Sequence, residues 1–371
     1  MTGNLRMKRC RIRDLGLEIG GFPTGRFNAI TDVSRIKVGH STIVRGSGKV
    51  TAQGGPARTG VTAVLPSDGN VYLDRVVAAG AVLHGGGEAS GLVRVMGRRL
   101  IDTPILLTNT LSVGVVSEAV IDHMLRLYPG FGEEHDAVVP LVGECDDSWL
   151  NDIAGSHVGA EHVAAALEGA RSGPVAEGNV GGGTGLVSCG FKGGIGTSSR
   201  VVRVADESYT VGVLVMAGFG RMEDLRVDGI PVGRLLAPEY RQSGPRRDRR
   251  GSVVVVLATE APLLPHQLEI LAQRAGVGIG RAGSSAGQGC GEIVLAFSSA
   301  NTIPRERQQM VSRVRVLLSE GMDPLCEAAA DAAEESVLNA LCMAEDMTGA
   351  NGRSVPALPL DKLKKLLDQR K

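Results

Sequence analysis

The sequence predicts an α+β fold, a layered sandwich with helices packed outside its sheets. Strand-like runs follow one another instead of alternating strictly with helices, the pattern of segregated layers rather than of βαβ winding. A few longer segments keep helical spacing, and two of them complete the chain. Fifty-two of the 371 residues are glycine, against six Phe, four Tyr and one Trp. That composition favours close backbone approach and tight turns over large aromatic plugs. A chain of this length can bury a sizeable core, and we read it as a single domain.

Up to about residue 85 the pattern is short strands and turns, including Val61–Leu65 and Val76–Leu83. Val113–Leu127 has helical spacing, with Val116, Val120, Met124 and Leu127 on one face and Pro129-Gly130 as the stop. Val138–Val142 reads as a strand and Val158–Leu167 as an alanine-rich helix. The glycine-dense stretch 178–196 leads into strands near Arg200–Val204 and Thr210–Ala217. Residues 238–251, rich in Arg, Pro and Gly, read as the one linker. A buried strand follows, then a helix over His266–Ala275, a Gly/Ser loop, a strand over Ile293–Phe297, and helices over 304–319 and 323–346.

The junction Gly251–Ser252 carries the chemistry. A polar linker ends there and the run Ser252-Val253-Val254-Val255-Val256-Leu257-Ala258 begins. A hydroxyl residue at the mouth of a buried strand is what an N-terminal nucleophile needs. Attack of the Ser252 hydroxyl on the Gly251 carbonyl, then hydrolysis of the ester, would leave hydroxyl and free amine on one residue. An α-amine titrates at roughly 7.7–8.0, so it can serve as general base to its own hydroxyl near neutral pH. Taken alone, the dipeptide equally fits a serine that merely opens a strand.

Blocks along nearly the whole chain bear on that choice. They include Arg13-Asp14-Leu15-Gly16, Phe27-Asn28-Ala29-Ile30-Thr31-Asp32-Val33, Gly60-Val61-Thr62-Ala63-Val64-Leu65-Pro66 and Pro104-Ile105-Leu106-Leu107-Thr108-Asn109-Thr110. Gly178-Asn179-Val180-Gly181-Gly182-Gly183-Thr184-Gly185, Phe191-Lys192-Gly193-Gly194-Ile195-Gly196-Thr197, Ala258-Thr259-Glu260-Ala261-Pro262 and Ala357-Leu358-Pro359-Leu360-Asp361 continue the series. In this order they resemble the DmpA/β-aminopeptidase family of self-processing peptidases, which includes nylon-oligomer hydrolases. The resemblance implies a four-layer αββα sandwich like that of N-terminal-nucleophile hydrolases. It also implies processing into residues 1–251 and 252–371, a homo-oligomer of the processed units, and no cofactor.

The resemblance further implies a site. Ser252 is the nucleophile, and Lys192 places a cation beside it or beside the bound carbonyl. Cys290 and Glu292 match the positions that orient the nucleophile's amine, although relatives carry serine or aspartate where Cys290 stands. Gly218, in Ala217-Gly218-Phe219-Gly220, stands where relatives carry an oxyanion-hole asparagine. Trp149 stands at a position of the pocket wall where a tyrosine is expected. Glu144 is our candidate for the substrate's free amine, because a buried ammonium needs a carboxylate partner.

Other motifs fail on context. Gly283-Ser284-Ser285-Ala286-Gly287 matches the GxSxG elbow and His84-Gly85-Gly86-Gly87 an oxyanion loop, but a helix precedes the elbow, a strand follows, and no histidine lies beyond His266. His266 itself reads as a helix-start residue. Gly278-Ile279-Gly280-Arg281-Ala282-Gly283 matches GxGxxG yet follows a helix, against a dinucleotide site. Dispersed histidines without HExxH give a catalytic metal no support. Forty basic and forty acidic residues balance, which argues against nucleic acid or an anionic membrane as partner. Six scattered cysteines without a CxxC pair suit a reducing cytosol. The basic N-terminus lacks an apolar core, and the apolar runs are short of the ~20 residues of a membrane helix, so a cytoplasmic protein is expected.

The resulting expectation is a self-processing amide hydrolase acting on a small peptide or amide that bears an amine. A non-peptide amidase or acyltransferase on the same scaffold stays open at this point. So does a catalytically weak binding paralogue, motivated by Gly218, Trp149 and Cys290.

Overall fold

A computed structural model describes residues 7–131, 133, 136–241, 251–305 and 310–369. In chain order it runs through β1 (Lys37–Arg45), β2 (Ala57–Leu65), β3 (Asp74–Gly85), β4 (Ala89–Ser90), α1 (Leu92–Arg98), β5 (Leu100–Ile101) and β6 (Ile105–Asn109). Then come α2 (Val113–Leu127), β7 (Leu141–Cys145), α3 (Ala160–Glu168), the short hairpin β8 (Val187–Ser188) and β9 (Phe191–Lys192), β10 (Gly194–Val204) and β11 (Glu207–Phe219). After α4 (Val232–Tyr240) follow β12 (Gly251–Thr259), α5 (Pro265–Ala282), β13 (Gly291–Pro304), α6 (Met322–Met343) and α7 (Leu360–Asp368).

Two mixed sheets stack. One has strand order β1-β2-β6-β7-β4, the other β10-β11-β12-β13-β3-β5. Side chains of β12 show why its sequence is apolar without a break: a strand buried on both faces needs no polar alternation. Val253, Val255 and Leu257 pack into the core shared with α5 and α6, while Val254, Val256 and Ala258 pack into the core between the sheets. On the far side, α2 and α3 cover the outer face of the first sheet through Val116, Val120, Val163 and Ala166 against Val61, Ala63, Leu106 and Val142. The result is the αββα sandwich that the resemblance implies.

Most expected elements are present with shifted ends. The strand expected at Val138–Val142 lies at Leu141–Cys145, and Leu127 is left exposed at the end of α2. The linker is shorter than expected: α4 reaches Tyr240, Gly251 already belongs to β12, and residues 242–250 lie outside the described residues. The helix expected over 304–319 is a correction. β13 continues to Pro304 because its outer half keeps pairing with β3 beyond a bulge, and residues 310–318 are not helical. Their backbone bonds go to neighbouring segments instead of up a helix: Arg315 N donates to Asn301 Oδ1 and Leu317 N to the Pro262 carbonyl. α5 runs past the expected end at Ala275 to Ala282, so the GxGxxG run read as following a helix has Gly278 and Gly280 inside it and Gly283 just after it, while His266 is an exposed residue of its first turn, as the sequence suggested. Among the described residues no group of His, Cys, Asp and Glu could hold a metal, and no helix is long and apolar enough to cross a membrane.

Candidate active site

Ser252 lies at the mouth of β12, buried, between Gly218 of β11 on one side and Gly291 of β13 on the other. Pleating continues the face of Val254 and Val256 through Ser252, so its side chain looks between the sheets. There the first sheet meets it: the Cys145 thiol at the end of β7 donates to the Ser252 carbonyl oxygen at 3.3 Å and reaches that of Met216 at 3.5 Å. Burial raises this thiol well above its ordinary pKa, so it stays a neutral donor.

The residue before Ser252 is fixed by sterics. Gly251 has φ +63°, a left-handed backbone that L side chains rarely adopt, and an added Cβ would meet the Gly218 carbonyl oxygen at 1.8 Å. Gly218 is different. Its φ lies outside the left-handed region, and a Cβ there would make ordinary or slightly tight contacts, 3.2 Å to Leu186 Cδ2 and 3.4 Å to the Ser252 carbonyl oxygen. It is the register partner of Ser252 and supplies backbone alone.

Glu144, on β7 next to Cys145, approaches the same mouth from the first sheet. Its carboxylate accepts from the Glu88 backbone N–H at 3.0 Å and from the Thr110 hydroxyl. Burial raises its pKa above the usual carboxylate value while those two bonds pull it back. The glycine loop after His84 brings it close: Gly87 and Gly291 are in backbone contact, with a Cβ on Gly291 only 2.4 Å from Gly87 Cα, and a Cβ on Gly87 would lie 3.3 Å from Glu144 Oε1. His84 Nδ1 and Gly86 N both meet the Cys290 carbonyl oxygen, at 2.6 and 2.9 Å. The His-Gly-Gly-Gly run thus packs against the mouth of β13, although it serves no elbow.

Glu292 is the register partner of Val253, one step beyond Ser252 on the neighbouring strand, and is almost fully buried. Ser284 donates to its Oε1. Cys290 is buried two residues earlier and forms no disulfide. Lys192 is fully buried on β9, in a hairpin whose Ser188 hydroxyl and Cys189 N–H both bond the Phe219 carbonyl at the end of β11. Its Nζ donates to the carbonyl oxygens of Gly193 at 2.7 Å and Gly183 at 3.2 Å. Burial lowers its pKa to about 7, and the negative charge of Asp147 opposes the fall. Asp147 is itself fully buried, held up at about 7 by desolvation while Thr59 and Asn151 bond it.

The structure therefore gathers Ser252, Gly251, Gly218, Glu144, Cys290 and Glu292 at one strand mouth, with Lys192 in the adjoining hairpin. Trp149 stands apart from these contacts: its ring lies under the Arg353 guanidinium at 4.4 Å, and its carbonyl accepts from that side chain. Sequence reasoning missed Cys145, Asp147, Thr110 and Ser284. The first two neighbour Glu144 in Glu144-Cys145-Asp146-Asp147, and a carboxylate cluster at a strand end was the available signal.

Comparison with known proteins agrees with this geometry. Residues 28–355 match the model of Peptidase family S58. The chain is 43% identical to the β-peptidyl aminopeptidase BapA of Sphingosinicella xenopeptidilytica over 97% of its own length and 91% of that protein. Among solved structures it superposes on a β-aminopeptidase of Burkholderia sp. with TM-score 0.89 and 41% identity, covering 97% of this chain and 99% of that one. It superposes equally on the L-aminopeptidase D-Ala-esterase/amidase of Ochrobactrum anthropi, described as a prototype of the serine aminopeptidases and a variant of the Ntn hydrolase fold, with TM-score 0.90, 39% identity, and coverage of 97% and 98%. The chain belongs to peptidase family S58 and is a serine-type peptidase or amidase of the N-terminal-nucleophile kind.

Proposed function

We propose that the chain cleaves itself between Gly251 and Ser252, and that the freed Ser252 then hydrolyses the amide of an N-terminal aminoacyl or β-aminoacyl group. The observation that carries this reading is a buried serine, preceded by a residue that must be glycine, whose carbonyl is bonded by Cys145, the neighbour of the buried carboxylate Glu144. In the first reaction Ser252 Oγ adds to the Gly251 carbonyl carbon, the peptide nitrogen takes a proton and leaves as an amine, and water splits the ester to release the Gly251 carboxylate. In the second, the new amine takes the hydroxyl proton as Oγ attacks the substrate carbonyl, and returns it to the leaving amine. Water then hydrolyses the acyl-serine.

Each remaining residue has a part in this proposal. Glu144 pairs with the substrate's ammonium, which selects a free amine. Backbone N–H groups beside Gly218 stabilise the oxyanion that relatives meet with a side chain. Lys192, on the β8–β9 hairpin bonded to the end of β11, favours negative charge building up at the strand mouth while it is protonated, and Glu292, with Cys290 two residues before it, holds the Ser252 amine. The test is intact mass under denaturing conditions together with turnover of aminoacyl and β-aminoacyl p-nitroanilides. The reading expects two fragments, the second beginning with Ser252. Ser252→Ala should stay whole and inactive, because hydroxyl and amine roles vanish together. A Ser252→Ala chain with wild-type activity would refute it.

A further inference from the structure

We propose that Ser284 is a positioning residue for Glu292: it gives its single hydroxyl proton to one carboxylate oxygen and thereby reserves the other for the amine that self-cleavage creates on Ser252. The inference rests on the reading that Glu292 holds that amine, and adds a residue that the GxSxG motif had singled out without a use.

The geometry fixes the direction of the bond. A serine hydroxyl has one proton to give and lone pairs to receive. One lone pair of Ser284 Oγ accepts from the Ala286 backbone N–H at 3.0 Å, and the hydroxyl donates to Glu292 Oε1. The backbone of Ser284 is anchored as well, its N–H donating to the Ile279 carbonyl at 3.1 Å in the last turn of α5. The hydroxyl is thus delivered by the end of a helix, not by a freely moving side chain.

Pleating supplies the second half. Glu292 shares the register of Val253 and alternates with Ile293, so its side chain falls on the α5 side of the sheet, where Ser284 waits. Neighbouring strands lie about 4.8 Å apart, so the amine at the freed end of β12 starts within reach of that carboxylate. Without the Ser284 bond, the buried carboxylate loses a donor that sets its orientation. With it, Oε1 is occupied and Oε2 is presented.

Because the amine does not exist before cleavage, Ser284 acts on turnover and not on maturation. Ser284→Ala should therefore give the same two fragments at the wild-type rate by intact mass. On a β-alanyl p-nitroanilide its kcat should fall about tenfold or more, the scale of one hydrogen bond to a charged group, with KM changed less than twofold. Ser284→Thr, which keeps the hydroxyl, should restore kcat. If the alanine variant fails to fold, Ser284→Cys, whose thiol is a weak donor, is read in its place. Wild-type kcat in Ser284→Ala, or a loss that threonine does not rescue, overturns the proposal. Glu292→Gln separates it from the reading beneath: an impaired Glu292→Gln beside an unimpaired Ser284→Ala removes Ser284 alone, whereas a fully active Glu292→Gln removes the role of Glu292 itself.

Discussion

The Cβ that Gly251 lacks would lie 1.8 Å from the carbonyl oxygen of Gly218 on the facing strand. The obstacle is backbone, so no side chain can swing aside, and the left-handed φ of Gly251 adds to the cost. The residue before the nucleophile is consequently fixed by the strand beside it. Gly251→Ala should push β11 and β12 apart where Ser252 must aim at the carbonyl. Processing, followed by intact mass over time, should slow at least tenfold. Whatever fraction matures should have wild-type kcat, since Gly251 leaves the site on cleavage. Unchanged processing would show that the strand mouth yields more readily than its packing implies.

Gly218 poses the converse case. Its backbone does not need glycine, and an added Cβ must displace only the Leu186 methyl by a few tenths of an ångström. Gly218→Asn should fold, mature and place an amide next to Ser252. If the side-chain donor limits turnover, kcat rises by an appreciable part of the roughly 10²–10³ that one oxyanion donor is worth. KM should move less, because that charge is present mainly in the transition state. A matured variant with unchanged kcat would mean that backbone N–H groups already fill the hole.

What was legible in the sequence follows from what each pattern encodes. The run Val253–Ala258 and the helix-spaced Val113–Leu127 were readable because burial on both faces, or on one stripe, leaves a periodic trace. The stretch 310–318 misled because valines and leucines at helical spacing also occur where backbone bonds go to Asn301 and Pro262. Ser252 was picked out where the polar linker meets the strand, Glu144 as a carboxylate for an amine and Glu292 through the family resemblance, but the approach of the two sheets was invisible: 107 positions separate Cys145 from the Ser252 carbonyl it bonds. Ser284 was set aside because its motif had the wrong order for an elbow. Its contact with Glu292 depends on a loop's return path, which no spacing rule specifies.

Glu144 offers a test on substrate binding. Glu144→Gln keeps the shape and an acceptor for the Glu88 N–H but removes the charge. Losing one member of a buried charge pair costs about 2–5 kcal/mol, so KM for an aminoacyl p-nitroanilide should rise at least roughly thirtyfold. Burial raises the pKa of this carboxyl, so in the wild type KM should climb as pH falls through that raised value, while the glutamine variant stays flat there. An unchanged KM in Glu144→Gln would place the amine elsewhere.

Lys192 carries the last prediction, on stability. Burial depresses its pKa to about 7, against about 10.4 in an unfolded chain. Between those values the unfolded chain binds the extra proton, so unfolding free energy gains a term that rises with pH, at most about 1.4 kcal/mol per unit. Below pH 7 the term is flat. Asp147 and Glu177, both raised to about 7 by burial, slope the other way, but only below that pH. The comparison therefore belongs between pH 7.5 and 8.5, in Ser252→Ala chains so that self-cleavage does not intrude. Lys192→Met should be less stable overall, because the Gly183 and Gly193 carbonyls lose their donor. The informative quantity is the difference from its parent in urea unfolding, in which titrations common to both chains cancel. That difference should widen as pH rises, because only the parent sheds the cost of a buried cation. Parallel pH profiles would mean that Asp147 keeps Lys192 charged in the folded protein, and the ammonium would then be a permanent fixture on the Gly183 and Gly193 carbonyls.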